Sequence, residues 1–368
     1  MDSRERTFLA LEHQEPDRVP IDCWLSPGMK RKIENGLKLS YEQFLDVHEI
    51  DFRYIEGPRY RGPELKTQDG TIELDIWGVP RVQVDLQFAN GTGNYAESYK
   101  EVLQSPLQPI KSPEEILDYA HWPSPDWFDY SDIENQCKSI KEQGRVVVFM
   151  GDRLNRFAQL KPAMYLRGYE QIMIDMIENP EIAKAIFSQI SSFYLEYGWR
   201  IFEAAKGNID ILCTGDDFGS QNGPLLSPSM WVAFLKEGFQ KYVQLGKAFN
   251  AYMMHHTCGS VYALIPEMLD CDLDILQSLQ PEAAKMDPKI LKKEFGNRLA
   301  FQGGISIQKV LPYGSPAEVS EHVKLLLNAM APGGGYIACT SHNIQADTPL
   351  ANVSALFEAY HDFGRYRR

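Results

Sequence analysis

Residues 255–261 read His-His-Thr-Cys-Gly-Ser-Val and follow the apolar run Ala-Phe-Asn-Ala-Tyr-Met-Met. Imidazole nitrogen and thiolate sulfur are the donors that zinc accepts in tetrahedral geometry, and catalytic zinc sites leave one position open. His256 and Cys258 stand two apart at the end of an expected strand, so both side chains can turn toward one point. A third ligand has to come from another loop, and Cys339 and His342 both follow a later apolar run. Two other readings of the same stretch stay open. Cys258 and His256 can be a nucleophile and its base, or a buried histidine bonded to backbone beside an inert cysteine. Asp216 and Asp217 form a carboxylate pair after another apolar run. Such a pair serves acid or base chemistry when each carboxylate shifts the other's pKa, or it caps a helix and a loop. Gln221 and Asn222, beside that pair, and Gln277, at a further strand end, are candidates for holding a substrate. Trp77 and Trp127 are candidates for lining a mouth. Gly303–Gly304 and Gly333–Gly335 fit no dinucleotide fingerprint and read as tight turns and close packing.

These residues need a frame that brings distant strand ends to one place. Eight short apolar runs recur, at 18–24, 49–55, 145–151, 209–215, 250–256, 273–279, 299–305 and 336–340. Most are continuously apolar, as expected of parallel strands covered on both faces. From residue 145 onward helical patterns alternate with them, including two helices broken near Pro180. An opening helix is expected to stop at Pro16, and Ser260, Asp287 and Ser315 are expected N-caps. Strands alternating with helices mean βαβ units, and eight of them favour an α/β fold of the (β/α)8 TIM-barrel type. Residues 60–130 break the rhythm with a hairpin-like stretch and a proline-rich return. They are expected to be an insertion after the second strand, within one barrel domain spanning 1–368. In a barrel the chemistry sits where strands end. The polar clusters at 214–222, 255–260, 277–282, 302–306 and 339–347 would then share one rim.

Composition narrows the function. The 368 residues, 44% hydrophobic and 24% charged, can bury a large core without disulfides. A net charge of −13 argues against nucleic acid and anionic membrane as partners. No run approaches the ~20 apolar residues of a membrane span. The charged N-terminus does not read as a secretory signal. The six cysteines are scattered with no Cys-x-x-Cys pair, so free thiols in the cytoplasm are expected.

Three stretches resemble the uroporphyrinogen decarboxylase superfamily. They are ERTFLALEHQEPDRVP at the start, HHTCGSVYALIPEMLDCDLDILQSLQPEAAKMDPKILKKEFGNRLAFQGGISIQKVLPYGSPAEV, and GGGYIACTSHNIQADTPLANVSALFEAY. The resemblance implies a (β/α)8 barrel and one of two chemistries. One is decarboxylation of a porphyrinogen, but the Arg-Gln-Ala-Gly-Arg signature of those enzymes is replaced here by CWLSPGMKRK. The other belongs to corrinoid-linked methyltransferases, which include the methylcobalamin:coenzyme M enzymes and the methyltransferases of O-demethylases. The coenzyme M enzymes bind zinc through His-x-Cys and a later cysteine. His256-Thr257-Cys258-Gly259 matches the first part, and counting back from Thr348-Pro349 reaches His342 where those enzymes place a cysteine. The resemblance thus implies Zn2+ on His256, Cys258 and His342, and a separate corrinoid (cobalamin) protein as partner. Two imidazoles and one thiolate leave zinc a stronger Lewis acid than a two-thiolate site. That favours a methoxylated, aromatic methyl donor. A binding protein that kept the barrel and lost turnover is the non-enzymatic alternative.

Overall fold

The computed structural model describes residues 1–67, 70–90, 93–151 and 156–366. The strands in chain order are β1 (Phe52–Tyr54), β2 (Arg59–Tyr60), β3 (Glu73–Leu74), β4 (Pro80–Asn90), β5 (Gly93–Val102), β6 (Phe128–Asp129), β7 (Val146–Phe149), β8 (Ile211–Gly215), β9 (Tyr252–His256), β10 (Ile275–Leu279), β11 (Ala300–Ile305) and β12 (Tyr336–Thr340). Seven of them form one sheet in the order β1-β7-β8-β9-β10-β11-β12. Every pairing in it is parallel. From β7 onward a helix separates each strand from the next, so the strands are covered and their residues read as unbroken apolar runs.

The expected eighth strand, 18–24, is not one. Ile21 and Leu25 make only isolated parallel bridges, to Ala338 and Ile344. Pro20 interrupts the segment and has no N–H to give a ladder. The segment still bonds to both sheet edges: Pro20 O accepts from Ala338 N at 2.8 Å, and Ile21 O accepts from Asp51 N at 2.9 Å. An α/β architecture on a seven-stranded parallel sheet therefore replaces the expected count of eight.

Between β1 and β7 lie two small antiparallel sheets, β3-β4-β5 and β2-β6. The hairpin expected there is β4 with β5, in register from Arg81↔Val102 to Asn90↔Gly93; its turn residues 91–92 lie outside the described residues. The opening helix is Ser3–Leu11. Asp287 and Ser315 cap the helices Pro288–Phe295 and Pro316–Met330. Ser260 does not cap one: it bridges to Ser220, and Val261 precedes the next helical turn. The chain breaks between helices Tyr169–Glu178 and Pro180–Ala205, at Pro180 as expected.

The side-chain alternation of strands sets what the sheet presents on its inner face. Phe52, Ile211, Cys213, Met254, Ile275, Ala300 and Ile337 form one apolar cluster there. Two residues further along the same strands, and so on the same face, stand Tyr54, Gly215, His256, Gln277, Gln302 and Cys339. An apolar layer thus carries a polar layer at the carboxyl ends of the strands.

Candidate metal centre

The alternation separates the two adjacent histidines. His255 points toward the helices, stacked on Phe218 with ring centroids 5.1 Å apart and edge-on to Phe239 at 4.9 Å. Its Nδ1 meets Thr214 Oγ1 at 2.8 Å, and burial lowers its pKa to about 3. It is a neutral core residue. His256, on the inner face, stands at the strand end beside Gly215 of β8 and Gln277 of β10.

Cys258 follows in a tight loop. A Cβ on Gly259, which has φ +78°, would sit 2.6 Å from Ser220 O, and one on Gly219 would sit 2.5 Å from Cys258 O. The loops after β8 and β9 touch backbone to backbone, which only glycine permits, and this contact fixes Cys258 beside His256. Cys258 Sγ lies 3.5 Å from His256 Nε2. The rings of His256 and His342 meet edge-on at 5.4 Å. Ligand atoms of His256, Cys258 and His342 all lie within 4.8 Å of one another. Zinc with sulfur at about 2.3 Å and nitrogen at about 2.0–2.1 Å in tetrahedral array separates the two donors by about 3.6 Å, so the pair at 3.5 Å fits such an ion. Cys339 is buried in β12 and stands outside this group.

Two neighbours complete the donor set. His256 Nδ1 is hydrogen-bonded to Gln277 Oε1. An amide oxygen only accepts, so the proton sits on Nδ1 and the Nε2 lone pair faces the cluster. Burial, with Arg156 and His342 nearby, holds His256 far below the usual histidine range and keeps it neutral. Asp217 Oδ1 lies 3.9 Å from His256 Nε2, is buried and has no hydrogen-bond partner. Its other oxygen accepts from Lys161 Nζ at 2.5 Å. Burial opposes its ionisation, yet the Lys161 ammonium pulls Asp217 below the usual carboxylate range. A buried, ionised oxygen without a donor is what a cation site requires. Burial and the Asp217 charge push the Cys258 thiol up to about 12, so a metal ion taken up here must displace its proton.

Asp216 does different work. Its carboxylate accepts from the backbone N–H groups of Gln159, Leu160 and Lys161 at 2.7, 2.6 and 2.7 Å. These are the orphan donors at the start of helix Leu160–Arg167. Burial raises its pKa to about 6 against those three bonds. Asp216→Ala is expected to cost about 2–4 kcal/mol of stability, a lost cap plus buried unpaired donors. Urea unfolding checks this. Unchanged stability would mean that the three N–H groups find another acceptor.

The cluster opens on a cavity of about 680 Å3 whose wall includes Trp24, Arg156, Lys161, Tyr165, Asp217, His256 and His342. Several expectations do not hold there. Gln221 and Asn222 are exposed in a turn outside the cavity, with Gln221 Oε1 bonded to Gln280 and Asn222 N to Ser220 Oγ. Gln277 is fully buried and serves His256 instead of a substrate. Trp77 does border the cavity but is packed among Trp122, Phe193 and Tyr194. Trp127 packs on Tyr60 away from the cavity wall. Asp216 is a capping group and not an acid or base at the cavity. The sequence reading missed Trp24, Arg156 and Lys161. The last two follow β7, whose polar continuation Arg-Leu-Asn-Arg-Phe-Ala-Gln-Leu-Lys was the available signal.

No described helix is long and apolar enough to cross a membrane. The described cysteines are free thiols. The chain is 28% identical over 162 residues to the methylcobamide:CoM methyltransferase MtaA of Methanosarcina barkeri, a match covering 43% of each chain. It therefore spans less than half of that curated relative's length. It is 20% identical over 387 aligned positions to the uroporphyrinogen decarboxylase of Coxiella burnetii, covering 98% of this chain and 95% of that one. A solved methyltransferase from Methanosarcina mazei superposes over 99% of both chains with a TM-score of 0.68 at 17% identity, which is a likeness of fold. The family model described as uroporphyrinogen decarboxylase (URO-D) matches residues 157–363. That match takes in more than half of the chain and both loops that carry His256, Cys258 and His342, and the chain belongs to the URO-D family.

Proposed function

We propose that the protein is a zinc-dependent methyltransferase that moves a methyl group between a small substrate and the cobalt of a corrinoid held by a separate protein. One observation carries this reading: the ligand atoms of His256, Cys258 and His342 converge within 4.8 Å on the wall of a cavity large enough for a small organic molecule. The likeness to a methylcobamide:CoM methyltransferase supports it. We read the whole chain as one cytoplasmic barrel domain. Residues 20–25 occupy the eighth strand position, and residues 60–130 are an insertion that helps wall the cavity through Arg81 and Tyr99.

Zinc held by His256, Cys258 and His342 would supply Lewis acidity to an ether oxygen, which favours a methoxylated aromatic donor over a thiol. The chain's own residues prepare that oxygen's departure. Gln277 fixes the tautomer of His256. Asp217 Oδ1 would offer a further oxygen donor to the metal, while Asp217 Oδ2 keeps the Lys161 ammonium at the same spot. Lys161 then faces the negative charge that develops on oxygen as the C–O bond breaks and its electron pair stays behind. Trp24, tilted against His256 at 5.5 Å, walls the reacting end of the cavity.

Zinc-loaded protein incubated with a methoxyarene and a reduced corrinoid protein is expected to demethylate the arene and methylate the cobalt. The same preparation is expected to leave uroporphyrinogen unchanged. Carbon dioxide released from uroporphyrinogen, with no methyl transfer in a screen of methyl donors, would establish the decarboxylase chemistry instead.

A further inference from the structure

Among the described residues the cavity wall carries three cations, and two of them are closed on acids. Arg81 Nε donates to Asp75 at 3.0 Å, and its guanidinium covers the Tyr165 ring at 4.3 Å. Lys161 is held by Asp217 at 2.5 Å. Arg156 differs. Its Nε is buried without a hydrogen-bond partner. It is nonetheless firmly seated. Its alkyl chain crosses Gly215, where a Cβ would sit 2.3 Å from Arg156 Cδ. Its guanidinium lies 5.6 Å from the Trp24 ring centre. Gly215 pairs with His256 in the sheet, so this cation stands one strand from the metal cluster.

A guanidinium is never deprotonated, and leaving its buried donor unmade is costly. Its planar fork matches a carboxylate bidentately. Trp24 spans the space between the two sites, with Arg156 over its ring and His256 against it. Its indole is locked by Nε1 donation to Asp22 Oδ2 at 3.0 Å. An aryl ring lying along that indole presents one end to Arg156 and the other to the cluster.

We propose that Arg156 anchors a carboxylate on the substrate, so that the cavity selects methoxylated aromatic acids over neutral methyl ethers. This deepens the methyltransferase reading and rests on it for the identity of the transferred group, but the anchor is tested without turnover. Calorimetric titration of 3-methoxybenzoate and of its neutral isostere 3-methoxybenzamide is run on the zinc-loaded wild-type protein, Arg156→Gln and Arg156→Lys. The acid is expected to bind wild type at least tenfold tighter than the amide. Arg156→Gln should weaken the acid at least tenfold and leave the amide unchanged, and Arg156→Lys should recover part of the loss. Circular dichroism and zinc content report on folding of the variants. Equal affinity of acid and amide for wild type overturns the anchor, and so does an equal loss of both in Arg156→Gln. If the acid binds through Arg156 and no methyl reaches a corrinoid, the methyltransferase reading falls and the anchor stands. If neutral ethers are demethylated equally well by wild type and Arg156→Gln, the anchor falls and the reading stands.

Discussion

Alanine at His256, at Cys258 or at His342 is expected to empty the metal centre and abolish methyl transfer with it. Each residue contributes one of three converging donors. Structural zinc sites bind with about 10–16 kcal/mol, so loss of one protein ligand is expected to cost roughly 3 kcal/mol or more, about a hundredfold or more in affinity. Zinc measured after gel filtration should fall well below one per chain in all three variants. Two controls make the result specific. His255→Gln should keep its zinc, because His255 faces Phe218 and Phe239 on the other side of the strand. Cys339→Ala should also keep it, since Cys339 is buried outside the donor group. If Cys339→Ala emptied the site and His342→Ala did not, the third ligand would be Cys339.

Gln277→Leu is the second large effect expected. The side chain is buried, and its Oε1 takes the Nδ1 proton of His256. Leucine is apolar, one bond shorter, and accepts nothing. His256 then loses what orients its ring and holds its tautomer, and a buried N–H is left unpaired. Loss of such a partner typically costs on the order of 10–100-fold in metal affinity or activity. Competition with a zinc chelator measures it. Gln277→Glu, which keeps an acceptor at the same place, should retain most of the affinity. An unchanged affinity in Gln277→Leu would mean that the hydrogen bond does not hold the ligand.

The convergence of His256, Cys258 and His342 is legible in part from the sequence, because its first half is local. His256 and Cys258 stand two apart at a strand end, and Met254, two residues before His256, belongs to the inner apolar cluster. His342 was reached through the spacing to Thr348-Pro349 that the family resemblance suggested. What the sequence hid depends on distant partners. Asp216 and Asp217 are adjacent and chemically identical. One caps helix Leu160–Arg167 and the other faces His256, and only the position of that helix decides which. The same helix escaped notice because Pro162 lies in its first turn and its cap comes from over fifty residues away. Pro20 sits inside an apolar run that reads as a strand, and its missing N–H leaves only isolated bridges there. Gln277 was expected at a substrate because it ends a strand. It turns instead to the neighbouring strand, where its register partner is His256. Arg156 and Trp24 meet across 132 positions of sequence, and no local pattern announces that contact.

The central claim is a zinc ion held by two imidazoles and one thiolate, and zinc K-edge X-ray absorption on the purified, zinc-loaded protein tests it most directly. The expected spectrum has one sulfur at about 2.3 Å and nitrogen or oxygen donors at about 2.0–2.2 Å filling the remaining positions. Two sulfurs in the wild-type spectrum, or a chain that takes up no zinc, would contradict the account.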